Sequence, residues 1–382
     1  MENNSVLKPG HKIRPDLDHN KVTELARELY GLDVAEVKEL NSYDDKNFWI
    51  RVVHSNTSNL EEVSSDGYVL KVLNSLDSKY TDAVEAQNEM ILLVHDSGVP
   101  TPRPLKNKSN QYLSVVELQA SGADFKSKYI VRVFEYYPGQ ILYGAPYTTK
   151  LMYDIGKMAG QIDNVCKDFR PSVYETYKRI WSLTEVPKLD QFLDYVTDPV
   201  KRKLAEDVIQ TFKEQVVPVY NTLQRGVIHG DLNEQNILIR KCEGKEDFQL
   251  SAILDFGDST TSYYVFEVGI LLAYMMLEAN ITSAFETAAH ALAGYLSVFD
   301  LHQGDLSVLR ESVAGRLAQS LVMGNYSVAQ DPDNSDYLLI TADKTWTVLQ
   351  LLWTTPKSDL YRQFENVLQQ YNLSMKLDML KT

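Results

Sequence analysis

The stretch His229-Gly230-Asp231-Leu232-Asn233-Glu234-Gln235-Asn236, followed by Asp255-Phe256-Gly257, constrains this chain more than any other part of it. It sets an aspartate, an asparagine five residues on and a second aspartate in fixed order. Short apolar runs flank both motifs: Val227-Ile228, Ile237-Leu238-Ile239 and Ile253-Leu254. Such runs read as short strands, which puts the polar groups at strand ends facing a cleft. Phosphoryl transfer needs a set of this kind. One carboxylate aligns the attacking hydroxyl and accepts its proton, and two hard oxygen donors hold Mg2+ on the nucleotide phosphates. Asp231 fits the first role, and Asn236 and Asp255 fit the second. Either triplet alone reads as a turn or a plain loop. The pair, in this order and spacing, does not.

The 382 residues are 44% hydrophobic with a formal net charge of −14. That composition supports a sizeable core, in one two-lobed unit or two domains. The acidic balance argues against a nucleic acid or an anionic membrane as partner, and it suits a cationic small substrate. Cys166 and Cys242 are the two cysteines, far apart and in no metal-binding spacing, which points to a reducing compartment. No long apolar run follows Met1. The most apolar segment, Tyr263 to Leu277, carries Glu267 and is shorter than a membrane span, so it reads as a buried helix. The expectation is a soluble, cytoplasmic protein.

Residues 1–18 are rich in Asn, Lys, Pro, Gly and Asp and read as a flexible tail. Residues 19–137 read as a small α+β lobe. It has a helix over Lys21 to Tyr30 with Val22, Leu25, Ala26 and Leu29 on one face, strands over Phe48–Val53 and Tyr68–Leu73, and a hairpin loop between Ser55 and Gly67. A helix over Asp82 to His95 ends before Pro100, and further strands fall at Tyr112–Val116 and Tyr129–Tyr136. Pro138-Gly139 marks a lobe boundary. Residues 138–382 then read as a larger, mostly helical lobe. Its helices cover Lys150–Cys166, capped by Thr148 or Thr149, and Val200–Phe212, with Val200, Leu204, Val208 and Phe212 at four-residue intervals. Others cover Ser312–Tyr326 and Asp359–Tyr371.

The small lobe should supply the rest of the nucleotide site. Lys71, in the strand Val69-Leu70-Lys71-Val72, is a candidate for gripping phosphates, with Glu85 on the next helix as its ion-pair partner. Alone, Lys71 reads as a solvated edge-strand lysine and Glu85 as a surface position, and Glu89 competes with Glu85 as partner. No Gly-x-Gly-x-x-Gly loop covers the phosphates. Its place is taken by Asn41-Ser42-Tyr43-Asp44-Asp45-Lys46-Asn47-Phe48, where Ser42, Asn47 and backbone amides can cap phosphates while Asp44 and Asp45 repel them. A plain polar turn is the other reading of that loop.

The pattern His-Gly-Asp-Leu-Asn-x-x-Asn with Ile-Leu-Asp-Phe-Gly-Asp resembles the aminoglycoside phosphotransferase and choline kinase group. The resemblance implies the bilobal protein-kinase-like fold and a nucleotide donor. Protein kinases usually carry Arg where this chain has Gly230. The run from Asp258 to Glu267 leads straight into a helix and leaves no room for an activation loop, so a small-molecule acceptor is expected. Longer segments, among them Glu85-Ala86-Gln87-Asn88, Tyr263-Tyr264-Val265-Phe266-Glu267-Val268 and Gln319-Ser320-Leu321-Val322-Met323, are similar to the branch of that group whose acceptor is hydroxylysine. That similarity implies GTP (or ATP) as donor and 5-hydroxy-L-lysine, a dication with one carboxylate, as acceptor, in lysine catabolism. Asp258, Glu267 and Glu278 are then candidates for its ammonium groups and Arg316 for its carboxylate. Each has a plainer reading as a surface, capping or ion-pairing residue. A kinase for choline, ethanolamine or an aminoglycoside is the competing enzyme, and a nucleotide-binding pseudokinase the competing non-enzyme.

Overall fold

The Asp18 carboxylate accepts the Lys21 N–H at 2.7 Å and caps the first helix, α1 (His19–Tyr30). The computed structural model describes residues 13–377 apart from residues 43, 56–61, 123, 243, 245–246 and 331–341. Tyr43, residues 56–61 of the expected loop between Ser55 and Gly67, residues 1–12 of the expected tail and the last residues of the chain thus lie outside the described residues. The chain divides into two units, Gly10–Gly139 with Ser251–Ile253, and Gln140–Leu250 with Leu254–Thr382. As the sequence implies, the architecture is α+β, with a small antiparallel sheet in the first unit and mostly helices in the second.

In the smaller unit, α1 is followed by β1 (Leu32–Leu40), β2 (Lys46–Ser55), β3 (Tyr68–Val72), α2 (Thr81–Asp96), β4 (Ser114–Gln119) and β5 (Lys126–Glu135). The strands form one antiparallel sheet in the order β1-β2-β3-β5-β4. Val22, Leu25 and Tyr30 of α1 share a buried cluster with Phe48, Ile50, Leu70, Val72, Tyr129 and Val131. The helix and most strands lie where their periodicity predicts. Strand β1 is not foreshadowed by an apolar run. Its sequence is charge-rich and it forms a sheet edge, so pairing with β2 defines it. Part of the expected tail is also tied down: Ile13 and Leu17 are buried, Pro15 bridges Ala120, and the Asp16 N–H donates to Gln119 O at 2.9 Å.

The larger unit runs through β6 (Gln140–Ile141), α3 (Thr149–Val165), α4 (Val173–Thr176), α5 (Pro199–Thr211), β7 (Arg225–Ile228), β8 (Ile237–Lys241) and the first half of β9 (Phe248–Ile253), whose residues Ser251–Ile253 group with the smaller unit. It continues with β10 (Thr260–Tyr263), α6 (Tyr264–Leu277), α7 (Ala284–Leu296), α8 (Gln303–Ser307), α9 (Leu309–Gln330), α10 (Ala342–Thr354) and α11 (Lys357–Gln369). Thr148 caps α3, and Asp198 caps α5 with Pro199 in the first turn. The buried face of α5 is Ala205, Val208 and Ile209, and Val200 is 74% exposed. The four-residue stripe expected from Val200 drifts off that face, because the helix repeats every 3.6 residues. Helix α6 is apolar and buried on nearly all sides. Among the described residues, no helix is long and apolar enough to cross a membrane.

Two pairings assemble the conspicuous motifs. Strand β7 pairs antiparallel with β10, placing Ile228 opposite Thr260. Strands β8 and β9 are neighbours in a second small sheet of order β6-β8-β9, and the Leu254 N–H donates to Asn236 O at 2.8 Å. The residues between these strand ends, 229–236 and 254–259, are thereby brought to one place.

Helices α3 and α7 cross backbone to backbone. A Cβ on Gly156 would stand 1.8 Å from Ala291 O, and one on Gly294 would stand 1.9 Å from Tyr153 O. Glycine costs a helix interior about 1 kcal/mol relative to alanine, so Gly156→Ala gains that term. Overpacking against an immovable carbonyl costs about 1–3 kcal/mol and more when the backbone must shift. Gly156→Ala should therefore lower the unfolding free energy by denaturant titration, despite its better helix propensity.

Candidate active site

The strand β7 ends in the turn His229-Gly230-Asp231. Gly230 has φ +82°, and a Cβ there would meet Asp258 O at 2.6 Å. A side chain is excluded twice over, by backbone conformation and by space. This explains why no arginine stands at that position. The Gly230 N–H donates to Glu267 Oε2 at 2.8 Å, from the first turn of α6. Glu267 is fully buried, and burial raises its pKa.

His229 is also buried, with Phe256 packed on its ring at 4.6 Å between centroids. Its Nε2 lies 2.9 Å from Leu254 O, and its Nδ1 accepts the Asp231 N–H at 3.3 Å. A carbonyl only accepts and an amide only donates, so the ring carries its proton on Nε2 and is neutral. Burial pushes its pKa from 6.5 down to about 4.

Asp231 follows. Its Oδ1 accepts from Arg316 Nη2 at 2.6 Å, and its Oδ2 accepts from Asn233 Nδ2 at 2.9 Å and Asn236 Nδ2 at 2.8 Å. Its side chain keeps 19% exposure. Burial raises its pKa; Arg316 opposes this, while the nearby Asp258 and Asp255 carboxylates reinforce it and the Asn233 hydrogen bond opposes it. Asn236 also donates through Nδ2 to Asp231 O at 2.9 Å. That orientation leaves its Oδ1 to a cation. Asp255 sits in the left-handed region at φ +54°, with Oδ1 accepting the Gly257 N–H at 3.1 Å.

The donors Asn236 and Asp255 are hard oxygens. Among the described residues no cluster of three or more His, Cys, Asp or Glu could hold a metal. Mg2+ is commonly held by one or two protein carboxylates, with phosphates and water completing its shell, so this sparse donor set fits it.

The four residues expected around an acceptor all have protein partners. Asp258 Oδ1 is ion-paired with Arg179 Nε at 2.9 Å, and Arg179 also donates to Gly257 O at 3.1 Å. Glu278 pairs with Lys344 at 3.1 Å. Glu267 holds the Gly230 amide and Arg316 holds Asp231, both facing inward.

In the smaller unit, Lys71 lies on the central strand β3 and is 9% exposed. It is not a solvated edge lysine. Its expected partner needs correction: Lys71 Nζ is ion-paired with Asp45 Oδ2 at 3.2 Å, and Glu85 has no ion-pair partner among the described residues. Asp45 Oδ1 accepts the Asn74 N–H at 2.8 Å and Asn74 Nδ2 at 3.1 Å. Its charge is thus engaged by β3 and the residues after it. Strand pairing sets Asn47 opposite Lys71, which brings the loop's end to the lysine. Ser42 Oγ donates to Asp45 O at 2.6 Å, while Arg14 donates to Ser42 O, Ser42 Oγ and Asp45 O at 3.2–3.3 Å. Asn47 Oδ1 is buried with no hydrogen-bond partner. Nothing around Arg14 in the sequence signals order, and the partners of Arg179, Gly257 and Asp258, are set by the fold; Asn233 stands inside the motif, and its bond to Asp231 is local.

A strand-end aspartate and asparagine joined by hydrogen bonds, with a second aspartate beside them, define a kinase-like phosphotransferase. The model of the "Phosphotransferase enzyme family" matches residues 44–305. Hydroxylysine kinase of Danio rerio is 32% identical over 364 residues, 94% of this chain and 98% of that protein. Hydroxylysine kinase of Xenopus laevis is 34% identical over 360 residues, 92% and 94% of the two chains. The solved structure of amicoumacin kinase with AMP-PNP and Ca2+ shares the fold at TM-score 0.64 and 16% identity, covering 87% of this chain and 94% of that one. The chain belongs to the phosphotransferase enzyme family. It is a small-molecule kinase that phosphorylates an alcohol group with a nucleotide as donor.

The neutral His229 yields a pH prediction. The unfolded chain protonates this histidine below about 6.5 and the folded one only below about 4. Its contribution is therefore complete above pH 6.5 and is lost as the pH falls toward 4, by about 3 kcal/mol in all. Denaturant unfolding of the wild type and His229→Gln, compared between pH 7 and pH 4.5, should show a shallower decline in the variant. Parallel curves would count against a neutral buried ring.

Proposed function

We propose that the chain transfers the terminal phosphoryl group of GTP to the side-chain hydroxyl of 5-hydroxy-L-lysine, giving 5-phosphooxy-L-lysine. The observation that carries the chemistry is the Asp231 carboxylate, fixed on both oxygens yet still partly exposed. The vertebrate relatives named hydroxylysine kinase, similar over about nine-tenths of the chain, support the acceptor.

In this reading Asp231 accepts a hydrogen bond from the acceptor hydroxyl, orients its lone pair and takes its proton late, since the transition state is loose. Asn236 Oδ1 and the Asp255 carboxylate would hold Mg2+, which neutralises charge on the phosphates when bound. Lys71 binds phosphate oxygens once its ammonium turns from Asp45, and Ser42 and Asn47 cap the same phosphates. Of the acidic candidates for the substrate's ammonium groups, Asp258 keeps part of its surface in solvent and Glu278 less, while Glu267 is sealed.

Purified protein should be offered 5-hydroxy-L-lysine, choline, ethanolamine and an aminoglycoside, each with GTP and ATP. Hydroxylysine with GTP should give the highest kcat/KM. Turnover of choline with hydroxylysine ignored would sink the acceptor, and a preference for ATP would sink the donor. Asp231→Asn should keep nucleotide affinity and lower kcat by about 10²-fold or more. An unchanged rate would remove Asp231 from its role.

A further inference from the structure

The helix α9 carries Arg316, which is 3% exposed and donates a hydrogen bond from each of its three side-chain nitrogens. Nε donates to Tyr274 Oη at 3.2 Å, and Nη1 donates to Trp181 O and to Gln319 Oε1, each at 3.2 Å. Nη2 reaches Asp231 Oδ1 at 2.6 Å. The guanidinium lies over the rings of Trp181 and Tyr274, at 5.4 Å from each centroid. Gln319 is fixed in turn, its Nε2 donating to Ile180 O at 2.7 Å and Ser182 O at 3.1 Å. A lysine would supply the charge but not this planar fork.

The consequence lies at the carboxylate. Arg316 takes Oδ1, while Asn233 and Asn236 take Oδ2. The carboxyl plane is therefore set from two sides, by α9 through one oxygen and by the local turn through the other. We infer that Arg316 is a positioning residue for phosphoryl transfer, which fixes the orientation of Asp231 and does not itself touch the acceptor. The inference rests on the reading of Asp231 as the proton-accepting group. Misplacing a reacting group by about 1 Å can cost 10²-fold in rate, so the effect belongs in kcat.

The test is a double-variant cycle on the full chain, read as kcat and KM with the best acceptor of the panel. Arg316→Lys should lower kcat by about 10²-fold, with KM for acceptor and nucleotide within about threefold. In an Asp231→Asn background the same change should cost less than about threefold, because groups acting as a unit are not additive. Gln319→Leu loosens the guanidinium without altering either charge and should reproduce the kcat-only loss in milder form. It carries the test if Arg316→Lys fails to fold by thermal melt. A raised acceptor KM with kcat retained would overturn the inference in favour of an acceptor contact, as would a full, multiplicative loss in the double variant. A fast Asp231→Asn enzyme would overturn the reading of Asp231 instead.

Discussion

Removing the Asp231 carboxylate from most of its water costs several kcal/mol, and the larger unit is organised around meeting that cost. A buried ion pair recovers it only with good geometry and with the remaining lone pairs satisfied. Here the opposite charge comes from Arg316 at 2.6 Å, and the second oxygen is served by two asparagines. Taking one partner from such a pair costs about 3–5 kcal/mol, against a total domain stability of about 5–15 kcal/mol. Breaking the arrangement would therefore cost a large share of the fold's stability. It also makes α9 part of the site, although that helix lies far beyond the motifs in sequence.

The backbone around Asp231 is fixed by a second buried carboxylate. Glu267 would be an anomaly in a helix as apolar as α6 if its Oε2 did not meet the Gly230 amide. Burial raises the Glu267 pKa, and the amide bond and Arg316 lower it. This contact crosses from the first turn of α6 to the turn after β7, while β7 and β10 pair beside it. Side-chain and backbone positions at Asp231 are thus set by different elements. A reaction that depends on positioning more than on covalent participation needs both to be stiff.

The sequence made the chemistry legible because the motif residues are close in the chain and their roles depend on residue type. Asp231, Asn233 and Asn236 bond within a span of five residues, a scale at which spacing determines contact. Helices and strands with strong periodicity, such as α1, α3 and β3, were legible for the same local reason. Arg316 was visible only as an arginine in an apolar helix, since its contact with Asp231 spans 85 positions. Lys71 was assigned to Glu85 by analogy, whereas the β2–β3 pairing carries Asp45 to it first. Strand β1 and the ordered residues 13–18 carry no continuous apolar run; β1 takes its order as the sheet edge paired with β2, and residues 13–18 from their bonds to the end of β4.

Two residues of the site adopt left-handed backbone, and they do so on different terms. At Gly230 the conformation costs no side-chain strain, and the absent Cβ lets Asp258 O approach. At Asp255 a side chain must be kept, and a non-glycine residue there stores about 1–3 kcal/mol of strain. The carboxylate offsets part of this by accepting the Gly257 N–H. Asp255 thus shapes its own turn through Oδ1, and under the proposed function its carboxylate also meets the cation. Replacing it with alanine removes both functions at once and retains the strain. Replacing it with asparagine keeps the turn-forming acceptor and removes only the charge. The two substitutions therefore separate what the backbone requires at this position from what the cation requires.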